Sequence, residues 1–323
     1  MAKNNNLTDF LTDVANAIRE KDGSTGTINP QNFSDKIKAI QTGVDTSDGN
    51  IEPTTVLKGY KGYAKGVAVN GAIETYDGTV EDVVVVYTDC LTFTGETSEF
   101  TLKATNKRWD GTLQWSTDHN TWTTLVGTEA MQSVGKKLYL RGKGNTKFYY
   151  DSIGVQWVLS AKASCSGNIQ TLLDWESPPT NISVNECYAD MFKKCANLTS
   201  APKLPVTTMV MGAYASMFMD CTSLITAPEL PATTLAAYCY ISMFYGCSNL
   251  ITAPELPATT LKNYCYNSMF NGCTNLKVNT SSGNKIFTCP YSNAEYPTSG
   301  MFNNTGGSFT GTPTAGTTYY YTL

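Results

Sequence analysis

The feature that most constrains this chain is a repeat of fixed length. Met191-Phe192, Met217-Phe218, Met243-Phe244 and Met269-Phe270 recur every 26 residues. Cys195, Cys221, Cys247 and Cys273 keep the same register, as do Leu198, Leu224, Leu250 and Leu276. Pro202, Pro228 and Pro254 follow them, and a degenerate copy is expected at Met301-Phe302. A constant period in this range is the signature of a solenoid, because one unit cannot bury its apolar side and neighbours must stack on it. Within a unit, Cys239, Met243 and Cys247 lie four apart and read as one face of a short helical turn. Asn249 to Ala253 reads as extended, and Pro254 and Pro257 end that piece.

The rest of the chain divides by turn signals. Leu7, Phe10, Leu11, Val14 and Ile18 form one helical stripe, and Phe33, Ile37 and Ile40 form another after Asn29-Pro30. This predicts a helical hairpin too small to bury a core alone, so the stripe is expected to be covered by a copy of itself or by a partner. A polar linker and a glycine-rich element follow, with Asn70-Gly71 read as a hairpin turn. Between residues 83 and 175 short β-type runs alternate with Gly, Asp and Asn turns, a pattern that predicts a β-sandwich. The expected fold class is multidomain and mainly β. Its parts are an N-terminal helical hairpin module (1–45), a linker with a small β-element (46–82), a β-sandwich (83–175) and a C-terminal leucine-rich-repeat-like solenoid with an irregular cap (176–323).

Charge narrows the function. Only 15% of residues are charged and the net charge is −4. The stretch Cys187 to Leu276 carries four Lys against four acids. No basic stripe is present to neutralise phosphates, so nucleic acid is not an expected partner. No apolar run reaches the length of a membrane span, so no membrane insertion is expected. The ten cysteines are expected to be thiols. One column alternates Cys187, Ala213, Cys239 and Cys265, which favours small buried side chains over metal ligands.

The candidates for chemistry are few. His119, the one histidine, lies in the polar turn Asp118-His119-Asn120 and reads as a turn residue. Glu229 and Glu255 share an exposed repeat column. No nucleophile, base and orienting group are spaced as a catalytic set. The expectation is a non-enzymatic protein with no cofactor and no metal. Trp109, after Lys107-Arg108, and Trp122, after the Asp118 turn, are the candidate contacts for a host glycan or protein.

Four stretches resemble known families. Asn6-Leu7-Thr8-Asp9 to Glu20-Lys21, with Ile28 to Phe33, is similar to the N-terminal helical module of many phage tail and baseplate-associated proteins. Val56-Leu57-Lys58-Gly59 to Val69-Asn70-Gly71-Ala72-Ile73 resembles a small element of the same proteins, but its closing glycine is absent. The unit around Cys239-Tyr240, Met243-Phe244 and Cys247 resembles BspA-like leucine-rich repeats, and Leu113 to Trp122 resembles the β-domain that often precedes them. The resemblance implies a structural component of a bacteriophage virion, a tail, baseplate or head-fibre appendage, made in the host bacterial cytoplasm. It implies other virion proteins as partners, a homo-oligomer with a trimer favoured, and contact with host surface glycan or protein. A receptor- or glycan-binding adhesin is the alternative. Leu7, Phe10, Leu11, Val14, Ile18, Phe33, Ile37 and Ile40 would then form the docking or oligomer interface. Met191, Phe192, Cys195 and their counterparts at 217, 218, 221, 243, 244, 247, 269, 270 and 273 would form the repeat core.

Overall fold

A computed structural model describes residues 14–16, Lys61–Ala64, Val67–Asn70 and 89–323. The chain divides into two compact units, Met1–Val83 and Val84–Leu323. In the first unit, residues 14–16 are helical, with Val14 half-buried and Ala15 buried. The other expected docking residues, Leu7, Phe10, Leu11, Ile18, Phe33, Ile37 and Ile40, lie outside the described residues. Strand β1 (Lys61–Ala64) pairs antiparallel with β2 (Val67–Asn70), Ala64 opposite Val67 and Lys61 opposite Asn70. Asn70 ends β2, and the expected turn at Asn70-Gly71 runs into residues outside those described.

In the second unit, burial alternates along strands β3, β4, β8, β11 and β12, as the period of two requires. β3 (Leu91–Gly95) buries Leu91 and Phe93 and turns Thr92 and Thr94 outward. β4 (Thr101–Ala104), β5 (Thr112–Ser116), β6 (Thr123–Thr124) and β7 (Met131–Gln132) follow. β8 (Lys137–Lys143) buries Leu138, Leu140 and Gly142, leaving Tyr139 and Arg141 on the opposite face. β9 (Tyr149–Tyr150) and β10 (Ile153–Gly154) form a hairpin. β11 (Trp157–Leu159), β12 (Ala163–Ser166) and β13 (Leu198–Ser200) come next. Two sheets result, one in the order β13-β12-β3-β8-β5-β6 and one in the order β11-β4-β7. β13 belongs to the first repeat and pairs parallel with β12, so backbone hydrogen bonds join the repeats to the sheet edge. A single hydrophobic core runs from Leu91 to Tyr319.

The expected fold class is corrected here. The described chain is mainly β, with 26% strand and 3% helix, and its several sheets are open. Among the described residues no solenoid is found at 176–323, the expected N-terminal helical hairpin lies outside the described residues except at 14–16, and the sheets of the 83–175 region share one core with the repeats. The fourfold spacing that suggested helical turns has another cause. Every fourth residue sits in the left-handed region: Asp190, Lys194, Ser216, Asp220, Tyr238 and Ser242 have φ between 51° and 63°. A helix cannot run through such residues. Alternate amides leave the unit altogether. Tyr214 N–H donates to Cys239 O at 3.0 Å, Ser216 to Ile241 at 2.8 Å and Phe218 to Met243 at 2.9 Å. The amides between them close short turns, as when Met217 N–H donates to Tyr214 O at 3.3 Å. The extended pieces touch only through single bridges such as Ser200–Thr226 and Thr226–Thr252.

Side chains follow the same 26-residue register. Phe192, Phe218, Phe244 and Phe270 stack face to face at 5.4–5.7 Å, and Phe302 of the degenerate copy continues the column at 5.8 Å. Tyr188, Tyr214, Tyr240 and Tyr266 form a second buried column at 5.7–6.0 Å. Residues 277–323 close the end with β14 (Lys277–Asn279), β15 (Asn284–Thr288), β16 (Gly306–Gly307) and β17 (Thr318–Thr322), ordered β15-β17-β14-β16.

Candidate functional site

The outward face of β8 gathers Arg141 and Tyr139 with His119, Trp122 and Trp175. Pairing with β5 sets Gln114 opposite Arg141 and Ser116 opposite Tyr139. Arg141 Nε donates to Gln114 Oε1 at 3.0 Å. The guanidinium lies 3.9 Å from the centre of the Trp122 ring and 3.7 Å from that of Trp175. A guanidinium held between two indole faces is attracted by both ring quadrupoles and keeps its planar fork fixed.

Local structure explains how the two tryptophans arrive there. The turn before Trp122 is built on Asp118, whose Oδ1 accepts from the Ser116 hydroxyl at 2.9 Å and from the Asn120 and Thr121 amides at 2.9 and 2.8 Å. These hydrogen bonds hold the Asp118 carboxyl well below the usual carboxylate range. His119 takes φ 63° and points back over the sheet. Its ring meets Tyr139 at 4.7 Å and Trp122 at 5.6 Å, both edge-on. Trp175 depends on a glycine. A Cβ on Gly142 would lie 1.9 Å from Leu172 O, so only glycine lets residues 172–175 approach β8. The Trp175 amide then donates to Gly142 O at 2.9 Å.

A Cys–His pair sits beside this cluster. Cys90 Sγ is 3.2 Å from His119 Nε2. Burial pushes the Cys90 thiol up to about 12. Burial, and then the charge of Arg141, push His119 down. Both shifts favour the neutral pair and disfavour a reactive thiolate beside an imidazolium.

Sequence reasoning and geometry part company over the tryptophans. Trp122 reaches this face, half-buried. Trp109 is buried and stacks on the core residue Trp157 at 6.5 Å, with Lys107 Nζ 5.9 Å from its ring. Compared with known proteins, the chain matches no family profile, no curated protein and no solved structure. The site must therefore be read from its own chemistry. Trp175 and Arg141 were missed in the sequence. One signal was available: Trp175 lies in Asp174-Trp175-Glu176-Ser177-Pro178-Pro179, with no apolar alternation to make it a core residue.

The repeat columns are a packing device. Met191, Phe192, Met217, Phe218, Met243, Phe244, Met269 and Phe270 are fully buried. Cys195, Cys221, Cys247 and Cys273 are buried free thiols. Cys221 Sγ donates to Phe192 O at 3.0 Å, Cys247 to Phe218 O at 3.0 Å and Cys273 to Phe244 O at 3.1 Å, so each thiol ties one unit to the one before. Among the described residues, no group of three or more His, Cys, Asp or Glu is placed to hold a metal ion. Among them, too, no helix is long and apolar enough to cross a membrane.

Proposed function

We propose that this protein is a structural component of a bacteriophage virion, a tail, baseplate or head-fibre appendage, and that its Val84–Leu323 unit is displayed toward the host surface. The sequence stripe from Leu7 to Ile40 is the part assigned to docking and self-association, with a trimer favoured. The protein would be made in the host bacterial cytoplasm and would act without catalysis. The observation that carries the reading is the repeat stack itself. Its columns and inter-unit hydrogen bonds give a stiff body, joined through β12 and β13 to a sheet whose outer face carries Arg141, Trp122 and Trp175. Mass spectrometry of purified particles tests it. The protein is expected at a fixed ratio to the major capsid protein. Roughly twelve copies or fewer would suit a tail and many tens a head location, since closed symmetry sets the number. Absence from intact particles would overturn the proposal.

A second reading, a receptor- or glycan-binding adhesin, is favoured by the Trp122–Arg141–Trp175 cluster. Saturable binding of the full chain to host cells, lost in Trp122→Ala and retained in Trp109→Phe, would support it. Equal binding by Trp122→Ala would count against it.

A further inference from the structure

The outer face of β8 continues past Arg141. Lys143, the next outward residue, is ion-paired with Glu176. Beyond it, Gly144 and Thr146 line one side of a cleft of about 220 Å³, and Asp174, Ser177, Asn181 and Ser183 line the other. That volume is below the roughly 300–1,000 Å³ of pockets that enclose drug-sized ligands, so the cleft suits a single small ring. Asn145, also at the wall, is already committed: it accepts from Gly111 N–H and donates to Thr112 O and Leu172 O. The opposite side is not. One Asp174 oxygen accepts from the Glu176 and Ser177 amides. Among the described residues, its other oxygen, the Ser177 and Ser183 hydroxyls and the Asn181 amide enter no side-chain hydrogen bond. The terminal amino groups of Arg141 likewise bond to none of the described residues, since only Nε is engaged.

Two different chemistries thus lie along one strand. Arg141 offers a fixed fork of N–H donors to a planar anion. The cleft offers hydroxyl, amide and carboxylate groups suited to neutral hydroxyls, and Asp174 repels a second acid there. β8 ends at Lys143, about 7 Å beyond Arg141 at roughly 3.3 Å per residue, and Gly144 of the cleft follows directly, so adjacent units of one chain can reach both.

We propose that this strip binds a carboxylate-bearing saccharide, with the acid group on Arg141 and the hydroxyls of the neighbouring ring in the cleft. The inference rests on the adhesin reading and names its ligand class. The test is a binding panel of carboxylated saccharides, uronic-acid oligomers and sialosides, each beside its methyl ester, with the full-length protein. At least one acidic member is expected to bind saturably, and its ester at least about tenfold more weakly, the loss of one charge-assisted contact. Arg141→Lys keeps the charge but removes the fork, and it too should weaken binding about tenfold. Asn181→Ala, at an exposed position, should weaken binding severalfold with an unchanged melting temperature, which keeps the test valid if Arg141 variants fold poorly. Equal affinity for acid and ester overturns the assignment of Arg141 while leaving the adhesin reading standing. Binding by Asn181→Ala at full strength overturns the cleft. No binding to any member overturns the strip, and leaves the virion reading to be decided by particle composition.

Discussion

At the scale of single residues, the tyrosine column separates packing from hydrogen bonding. Tyr188 donates to Gln170 Oε1 at 2.5 Å, whereas the buried hydroxyls of Tyr214, Tyr240 and Tyr266 have no hydrogen-bond partner among the described residues. Removing a buried hydroxyl that makes no bond relieves its desolvation, while removing one that does strands its partner. Tyr240→Phe is therefore expected to leave stability unchanged or raise it by about 1 kcal/mol. Tyr188→Phe is expected to cost about 1–3 kcal/mol. Urea unfolding of the two variants checks this, and a larger loss for Tyr240→Phe would show that its hydroxyl is satisfied. His119 makes a pH prediction. Its folded-state pKa is depressed, first by burial and then by Arg141, while Asp118 pulls it upward. A base that stays neutral in the fold stabilises fully above its unfolded pKa of roughly 6.5 and loses that contribution as pH falls through and below it. Between neutral pH and pH 5 the melting temperature of the wild type should fall more than that of His119→Gln. Asp118, whose carboxyl is depressed by hydrogen bonds, loses its contribution only in a lower window, below about pH 4.

At the scale of elements, spacing was informative and conformation was not. The period of 26 is written in the sequence and reappears as hydrogen bonds from one unit to the next, as from Phe218 to Met243. The fourfold spacing of Cys239, Met243 and Cys247 reads as helix, yet Tyr238 and Ser242 have φ of 60° and 51°. Nothing in those residue types announces a left-handed backbone, since neither is glycine. Stacked neighbours supply the hydrogen bonds that offset the cost, about 1–2 kcal/mol per residue. Strands were partly legible. Runs at Leu91, Thr112 and Lys137 alternate as β8 and its neighbours do, but Ala163–Ser166, which joins sheet to repeats, has no long alternation to reveal it. Gly142 carries a prediction at this scale. In Gly142→Ala the new methyl meets Leu172 O, so residues 172–175 must shift. The expected outcome is a loss of about 1–3 kcal/mol, the range for overpacking. A changed Trp fluorescence should accompany it as Trp175 leaves Arg141. Unaltered stability and emission would sink this account of how the site is positioned.

At the scale of the whole molecule, the second unit is held as one body. Phe93 of the sheet lies 6.4 Å from Phe192 of the first repeat, Trp157 N–H donates to Met191 O at 2.9 Å, and Lys203 pairs with Asp89 at 3.0 Å. A shared core predicts shared unfolding. Thermal melts followed by Trp fluorescence, which reports the sheet, and by iodoacetamide labelling, which reports the buried thiols, should give coincident midpoints. Ten cysteines are buried free thiols, so labelling should be slow until the transition. Two separated midpoints would mean that sheet and repeats are independent domains. By itself the sequence determined the period, the buried character of its columns and the preponderance of β-structure, because these follow from residue spacing and side-chain type alone. The tertiary structure decided the left-handed turns, the joining of sheet to repeats and the meeting of Arg141 with Trp122 and Trp175. Those depend on which groups a neighbouring segment offers, and no local pattern encodes a partner that lies tens of residues away.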